Sequence, residues 1–333
     1  MDRVVVLGGG ESGVGAALLA KKQGFEVFLS DGGKLKTKYK DVLSHNEILF
    51  EEGSHSKELI LNANVVVKSP GIPDSAPLIK ELVQKEIPVI SEIEFAAKYS
   101  KAKFIGITGS NGKTTTTLLT YHILKRAGLN VGLGGNIGKS LAAIVAEGDV
   151  FDWIVLELSS FQLDGMYDFK ADIAILLNIT EDHLDRYEYD VMKYARSKMR
   201  IAQNQDSSCW FIYNLDDPMT EKVMKEFEIS AKLVPISIKQ KTEGVSAFSI
   251  ENELIINPNK NQLTMTIQEL ALQGKHNLYN SMASGIAARI MEVRKDIIRE
   301  CLTDFQNIEH RLENVNSVNG MNFINDSKAT NVN

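Results

Sequence analysis

Cysteine is nearly missing from this sequence: Cys209 and Cys301 are the only two in 333 residues. Two thiols so far apart build no disulfide framework, which fits a reducing compartment. No apolar run reaches the ~18 residues that cross a bilayer as a helix. The opening MDRVVVLGGG has neither the basic region nor the long apolar stretch of a signal peptide. A cytoplasmic protein without membrane insertion is therefore expected. No basic block stands out and the net charge is −6, so no nucleic-acid partner is expected. Internal repeats, low-complexity tracts and coiled-coil heptads are missing too. What is present is a globular composition, 44% hydrophobic and 24% charged, long enough for two or more domains.

From Met1 to about Tyr99, strand-like runs (Arg3–Leu7, Glu26–Ser30, Ile48–Glu51, Val65–Lys68, Val89–Ile90) alternate with helical patterns at Gly13–Gln23, Ala76–Gln84 and Glu92–Lys98. Such alternation predicts a parallel sheet with helices on its faces. A second series starts near Lys103, with strands at Phe104–Thr108, Val131–Leu133, Trp153–Leu158, Ile173–Ile179, Cys209–Tyr213 and Lys232–Ile236. Near Gly244 the period becomes two (Ala247–Ile250, Leu254–Ile256, Leu263–Ile267, Leu270–Gln273), which predicts an antiparallel appendage. Helical stretches follow at His276–Met291 and Lys295–Leu302, and Asn319-Gly320 between apolar runs signals a hairpin. The expected fold is α/β: an N-terminal Rossmann-like parallel-sheet domain, then a P-loop-type α/β ATPase domain carrying the antiparallel appendage.

The most informative segment is Ile105-Gly106-Ile107-Thr108-Gly109-Ser110-Asn111-Gly112-Lys113-Thr114-Thr115. An apolar run enters a glycine-rich turn that opens a helix, leaving N–H groups and the helix dipole for an anion. Lys113 adds a point charge for outer phosphates, and the Thr114 hydroxyl can ligate Mg²⁺. Ile107 stands where the P-loop pattern has its first glycine, so what remains is G-x-x-G-K-T. The bland alternative is a strand-to-helix turn with a solvated lysine.

A second glycine cluster, Gly8-x-Gly10-x-x-Gly13, precedes Asp31 at the end of the next strand. This matches a dinucleotide fingerprint, with the acid meeting a ribose, and alone suggests an NAD-dependent oxidoreductase. Two features oppose it. The second phosphate loop begins only about a hundred residues on, short for both halves of a dinucleotide fold, and Gly32-Gly33 after Asp31 lack side chains to shape an adenosine pocket. A smaller diphosphate such as a nucleotide sugar needs only one half.

Glu157 ends the apolar strand Trp153–Glu157, where a carboxylate could hold the Mg²⁺ of ATP. A second strand runs into Thr180-Glu181-Asp182-His183-Leu184-Asp185-Arg186, where His183 could meet a metal or a phosphate, although a hydrogen-bonded loop histidine is commoner. Lys198 interrupts the stripe Val191, Tyr194, Ala195, Ile201, Ala202 of a helix expected over Asp190–Asn204. It either snorkels or is desolvated toward its neutral amine. A neutral amine could take up CO₂ as a carbamate able to ligate Mg²⁺.

The segments GITGSNGKTTT, GGNIG (Gly134–Gly138), LELSSFQL (Leu156–Leu163), NITEDHLDRY (Asn178–Tyr187), YARSKMR (Tyr194–Arg200), GKHNLYN (Gly274–Asn280), HRLE (His310–Glu313) and NDSKATN (Asn325–Asn331) occur in order. Together they resemble the ATP-dependent Mur ligases of peptidoglycan synthesis, a layout that folylpolyglutamate synthase shares in part. SSFQL after Glu157, and GGGESG with VVKSPGIP on a short first domain, point to the branch that joins D-glutamate to UDP-N-acetylmuramoyl-L-alanine.

The resemblance implies domains at 1–98 (UDP-sugar binding), 99–303 (ATP binding) and from 304 onward, in a monomer. It implies an ATP site at Gly109, Ser110, Asn111, Gly112, Lys113, Thr114 and Thr115, with Asn277 and Asn280 flanking adenine. Arg311, Asp326 and Lys328 would reach ribose and phosphates. Thr114 and Glu157 would hold one Mg²⁺, and His183 with carbamylated Lys198 a second; Lys113, Glu157, His183 and Lys198 form the catalytic set. The sugar-nucleotide substrate would meet Gly10, Glu11, Ser12, Gly32, Gly33, Ser69, Pro70, Gly71, Asn136, Ser159 and His183. Gly32 and Gly33 depart from the side-chain-bearing residues found there in better-known members. The implied chemistry passes through an acyl phosphate that the D-glutamate amine attacks. Family members carry a third domain after NDSKATN that supplies most of the amino-acid site. The sequence ends at Asn333, so a fragment that binds substrate without turning it over is expected.

Overall fold

The computed structural model describes residues 2–148 and 150–306, and the backbone of 313–318 and 321–325. The chain divides into two compact bodies: Met1–Asn111, Asn130–Tyr213 and Asp217–Leu233 form the first, and Gly112–Leu129, Asn214–Asp216 and the chain from Val234 on form the second.

The first body opens with β1 (Arg3–Leu7), α1 (Glu11–Lys22), β2 (Glu26–Asp31), α2 (Thr37–His45), β3 (Leu49–Glu52), α3 (Lys57–Ile60), β4 (Val65–Lys68), α4 (Pro77–Gln84), β5 (Val89–Ser91) and α5 (Glu92–Ala97). The strands form one parallel sheet in the order β3-β2-β1-β4-β5. Val4, Val5, Val6 and Leu7 are all buried, the continuous apolar run of a strand covered on both faces. The order reverses between β1 and β4, so the crevice at their carboxyl ends is flanked by Gly8 and Ser69.

Next come β6 (Lys103–Thr108), α6 (Lys113–Arg126), β7 (Val131–Gly135), α7 (Leu141–Glu147), β8 (Trp153–Glu157), α8 (Ser160–Asp164), β9 (Ile173–Leu176), α9 (Val191–Met199), β10 (Trp210–Asn214) and α10 (Pro218–Met224). In the first body the second run of parallel strands has the order β10-β9-β6-β8-β7. β6 is central, and its carboxyl end is bracketed by those of β8 and β9. One apolar cluster joins the two sheets, from Val4 and Leu19 through Ile93 and Leu141 to Leu156 and Met199. Two carboxylates from α5 fasten this junction. Glu94 accepts backbone N–H groups of Tyr167 (3.1 Å) and Phe169 (2.9 Å), while Glu92 accepts that of Ala142 at the start of α7.

The second body holds α6 and the end of β11 (Lys232–Ser237), then β12 (Ser246–Ile250), β13 (Glu253–Asn257), β14 (Leu263–Thr266), α11 (Lys275–Ile290), α12 (Lys295–Asp304) and the hairpin β15 (Glu313–Val318) and β16 (Met321–Asn325). β12, β13 and β14 pair antiparallel, as the period of two predicts. The β12–β13 turn puts Glu251 and Asn252 at φ +47° and +70°, the pair of positive angles that a two-residue hairpin requires.

Several sequence expectations need correction. Leu270–Gln273 forms no strand: a 3₁₀ turn at Ile267–Glu269 precedes it, and the Ala271 N–H donates to the carbonyl of Leu302 on α12. The helix expected to reach Asn204 ends at Met199 and tightens to 3₁₀ over Arg200–Ala202. Among the described residues, no helix is long and apolar enough to cross a membrane.

Candidate active site

The loop after β6 is held from one side. Ser110 Oγ donates to the Thr180 carbonyl (2.9 Å) and accepts from its N–H (2.9 Å), and lies 3.2 Å from the Tyr194 hydroxyl. Asn111 N–H donates to Asn178 Oδ1 (2.9 Å), whose amide returns a bond to the Asn111 carbonyl (3.0 Å). Ser110 and Asn111 thus brace the loop against 178–180. The N–H groups suited to an anion are those of the first turn of α6, which include Lys113, Thr114 and half-buried neighbours. Gly112 precedes that turn at φ +85° without a side-chain cap, a left-handed position where a side chain costs energy.

Glu157 pairs in register with Ile107 on β6 and Gly135 on β7. It is 2% exposed. Its Oε1 accepts from Asn136 Nδ2 (2.8 Å), while its Oε2 is buried without a hydrogen-bond partner. Such an oxygen is costly unless something positive meets it. Gly135 stands at φ +101°, where a Cβ would lie 2.3 Å from the Glu157 carbonyl oxygen, so only glycine lets β7 pass this close to the backbone of β8. Ser159, one residue past Leu158, spends its hydroxyl on a capping box with Gln162 at the start of α8.

Lys198 lies on the buried face of α9 and is 1% exposed. Its Nζ donates to the Gly109 carbonyl (2.8 Å) and sits 4.5 Å from the Tyr194 ring centroid. Burial pushes the Tyr194 phenol up to about 12, so it stays a neutral hydrogen-bonding group beside the loop. His183 adopts φ +51°, an uncommon backbone for a non-glycine residue that histidine tolerates better than most. Its exposed ring lies tilted against Phe161, 5.2 Å between centroids, and its Nε2 lies 3.6 Å from Asp182.

At the other crevice, a Cβ on Gly8 would meet Ser69 Oγ at 2.5 Å, and one on Gly13 would meet the Gly8 carbonyl at 1.8 Å. Both glycines are needed for the close approach of loop, strand and helix. Asp31 ties the loop together: Oδ2 accepts from Gly9 N–H (2.5 Å) and Oδ1 from Gly33 N–H (2.7 Å). Gly10 and the first-turn residues Glu11 and Ser12 begin α1, with Glu11 accepting from the Tyr39 hydroxyl (3.1 Å). A Cβ on Gly32 would lie 3.1 Å from His55 Nε2, so His55 occupies the space a side chain there would take.

Sequence reasoning did not single out Arg186. Its guanidinium donates to the carbonyls of Pro70, Gly71 and Ile72, each at 3.3 Å, and lies 4.3 Å over the Phe161 ring. One side chain therefore ties the crevice loop after β4 to α8 and to the His183 loop. Nothing local to HLDRY signals this partner more than a hundred residues away. Asn277 and Asn280 lie on α11 in the second body, where Asn280 Nδ2 donates to Asn277 Oδ1 (3.2 Å). Arg311, Asp326 and Lys328 lie outside the described residues. Among the described residues, no three or more His, Cys, Asp or Glu side chains group as a metal site.

Residues 107–288 match the model of the Mur ligase middle domain and residues 3–77 that of the MurD N-terminal domain. A UDP-N-acetylmuramoylalanine–D-glutamate ligase of Bacteroides fragilis is 56% identical over 333 residues, 100% of this chain and 74% of that protein. The protein of that name from Christiangramia forsetii is 53% identical, over 99% of this chain and 74% of its own. Among solved structures, the UDP-N-acetylmuramate:L-alanyl-gamma-D-glutamyl-meso-diaminopimelate ligase of Neisseria meningitides superposes with a TM-score of 0.64 at 20% identity, covering 93% of this chain and 99% of that one. The UDP-N-acetylmuramate-alanine ligase of Thermotoga maritima gives 0.56 at 19%, covering 98% and 74%. These two likenesses speak for the fold, and the sequence relatives speak for the branch: this chain belongs to the Mur ligase family, among the UDP-N-acetylmuramoylalanine–D-glutamate ligases.

Proposed function

We propose that this chain serves the ATP-dependent joining of D-glutamate to UDP-N-acetylmuramoyl-L-alanine, in cytoplasmic peptidoglycan precursor synthesis, as a monomer. The domain division 1–98, 99–303 and 304 onward is part of the reading. The observation that carries it is Glu157: a buried carboxylate with one unpartnered oxygen, on the strand beside the one that feeds the phosphate loop.

That donor suits a hard divalent cation, which prefers carboxylate and hydroxyl oxygens. Thr114 and Glu157 would hold one Mg²⁺, and His183 with Lys198, once carbamylated, a second. Bound there, the ions would neutralise phosphate oxygens. The first turn of α6 binds the triphosphate through its N–H groups, and Lys113 adds a charge. Gly109, Ser110 and Asn111 hold that turn's entry through the braces to residues 178–180 and Lys198. Thr115 is buried one residue further on and packs the turn. The L-alanine carboxylate is a poor acyl donor, so it accepts the γ-phosphoryl group to become an acyl phosphate. The D-glutamate amine then attacks the carbonyl carbon and phosphate leaves. Positioning and electrostatics supply most of the rate.

UDP-N-acetylmuramoyl-L-alanine would enter the crevice between β1 and β4, against Gly10, Glu11, Ser12, Gly32, Gly33 and the 69–71 loop. Asn136, Ser159 and His183 would face its alanyl end. In the rival NAD-dependent oxidoreductase Asp31 would meet a ribose, with oxygens that each already accept one backbone N–H.

Calorimetry with ATP in Mg²⁺ and in EDTA tests the reading through Glu157→Gln. The parent chain should bind ATP more tightly with Mg²⁺, by roughly tenfold or more, and the variant should lose that difference. Equal Mg²⁺ dependence in both would remove Glu157 from the site.

A further inference from the structure

Helices α6 and α11 of the second body are joined by a ladder of buried polar side chains. Thr116 Oγ1 donates to Asn280 Oδ1 (3.1 Å); one turn on, Thr120 Oγ1 donates to Ser284 Oγ (3.0 Å), which donates in turn to the Thr116 carbonyl (3.2 Å). Thr116, Thr120 and Ser284 are fully buried and Asn280 is 4% exposed. Both rungs join residues 164 apart in sequence, so the helices run parallel and start at the same end. The turn carrying Lys113 and the turn carrying Asn277 therefore lie side by side.

The bonds also have a direction. Asn277 Nδ2 donates to the Gln273 carbonyl (2.9 Å), which can only accept. This turns Asn277 Oδ1 toward Asn280, whose Nδ2 donates to it (3.2 Å), and leaves Asn280 Oδ1 to receive the Thr116 hydroxyl. The Gln273 carbonyl sets the direction of the chain, and the Thr116 hydroxyl holds Asn280 in the place where it continues to Asn277. Half-buried Asn277 keeps one N–H and one oxygen lone pair. Side by side, these match the N6–H and N7 edge of adenine. They mismatch the two acceptors, O6 and N7, of guanine.

We propose that Thr116 is a positioning residue for base selection. Through Asn280 it holds the Asn277 carboxamide in the orientation that accepts adenine and rejects guanine. The proposal rests on the reading of this chain as an ATP-binding ligase. A purely structural rung would stabilise the helix pair without touching nucleotide preference, and Thr120 supplies that comparison one turn away.

The test is calorimetry of ATP and GTP binding to the parent, Thr116→Val, Thr116→Ser and Thr120→Val chains, with thermal melts of each. Thr116→Val should weaken ATP roughly five- to tenfold, the worth of one hydrogen bond, and narrow the preference for ATP over GTP by a similar factor. Thr116→Ser keeps the hydroxyl and should retain both values. Thr120→Val should lower the melting temperature and leave both affinities unchanged. If Thr116→Val does not fold, Thr116→Ala removes the same hydroxyl and is read the same way. A parent that prefers ATP beside a Thr116→Val or Thr116→Ala chain of unchanged preference overturns the inference alone. Equal effects from Thr116→Val and Thr120→Val on the preference also overturn it. A parent that binds neither nucleotide overturns the ATP reading, and the inference with it.

Discussion

Lys198, on α9, donates from Nζ to the Gly109 carbonyl at 2.8 Å, so a buried lysine holds the backbone of the glycine-rich loop after β6. Lys198→Met keeps most of the stem and removes the donor. A hydrogen bond from a charged group contributes about 1.5–3 kcal/mol, so the variant should melt earlier and bind ATP at least several-fold more weakly. The carbamate role is tested separately. Carbon-13 NMR in labelled bicarbonate should show a carbamate resonance in the parent chain that Lys198→Met lacks. Identical spectra would leave Lys198 as a brace and nothing more.

Arg186 offers a second test, because its fork reaches three consecutive carbonyls while stacking on Phe161. A lysine cannot reproduce that planar geometry. Arg186→Lys and Arg186→Ala should both weaken binding of UDP-N-acetylmuramoyl-L-alanine, by roughly tenfold or more for alanine, from the loss of several hydrogen bonds. ATP affinity should hold within twofold or so. Titration of both ligands against each variant decides it, and parallel losses for both would point to general loosening.

Glu92 gives a pH signature. It is fully buried, and desolvation, with the Glu11 charge adding, pushes its carboxyl up to about 8, against the Ala142 N–H bond that lowers it. A carboxyl whose folded value exceeds its unfolded value favours the folded state in its protonated form. That contribution is fully present below the unfolded value near 4.5 and is lost as pH rises through about 8. The parent should therefore lose stability between pH 5 and 9 or so, and Glu92→Gln should flatten that decline. Melting temperatures at acid, neutral and alkaline pH read it directly; parallel curves for the two chains would contradict it.

The contrast between these residues shows what the sequence carries. Alternating strand and helix periods mark β1, β4, β6 and β8, because buried parallel strands need unbroken apolar runs. Glu157 and Lys198 were legible because each breaks a pattern, a charge ending an apolar strand and a charge on an apolar stripe. Short helices such as α7 and α10 escaped notice, although Ser159 and Gln162 of the α8 capping box were a local signal. Arg186, Thr116 and Glu92 were not legible, since their roles lie in partners between 50 and 164 residues away. Asp31 misled in a specific way: it occupies the ribose-acid position of a dinucleotide fingerprint, yet it serves the Gly9 and Gly33 backbone. Leu270–Gln273 has the apolar alternation of a strand but pairs through a single N–H with α12.

The most direct measurement is calorimetric titration of this chain with UDP-N-acetylmuramoyl-L-alanine and, separately, with NADH. Saturable binding of the uridine ligand near one equivalent, with no heat from NADH beyond dilution, is the expected result. Tight binding of NADH with none of the uridine ligand would contradict the ligase reading and restore the dinucleotide one.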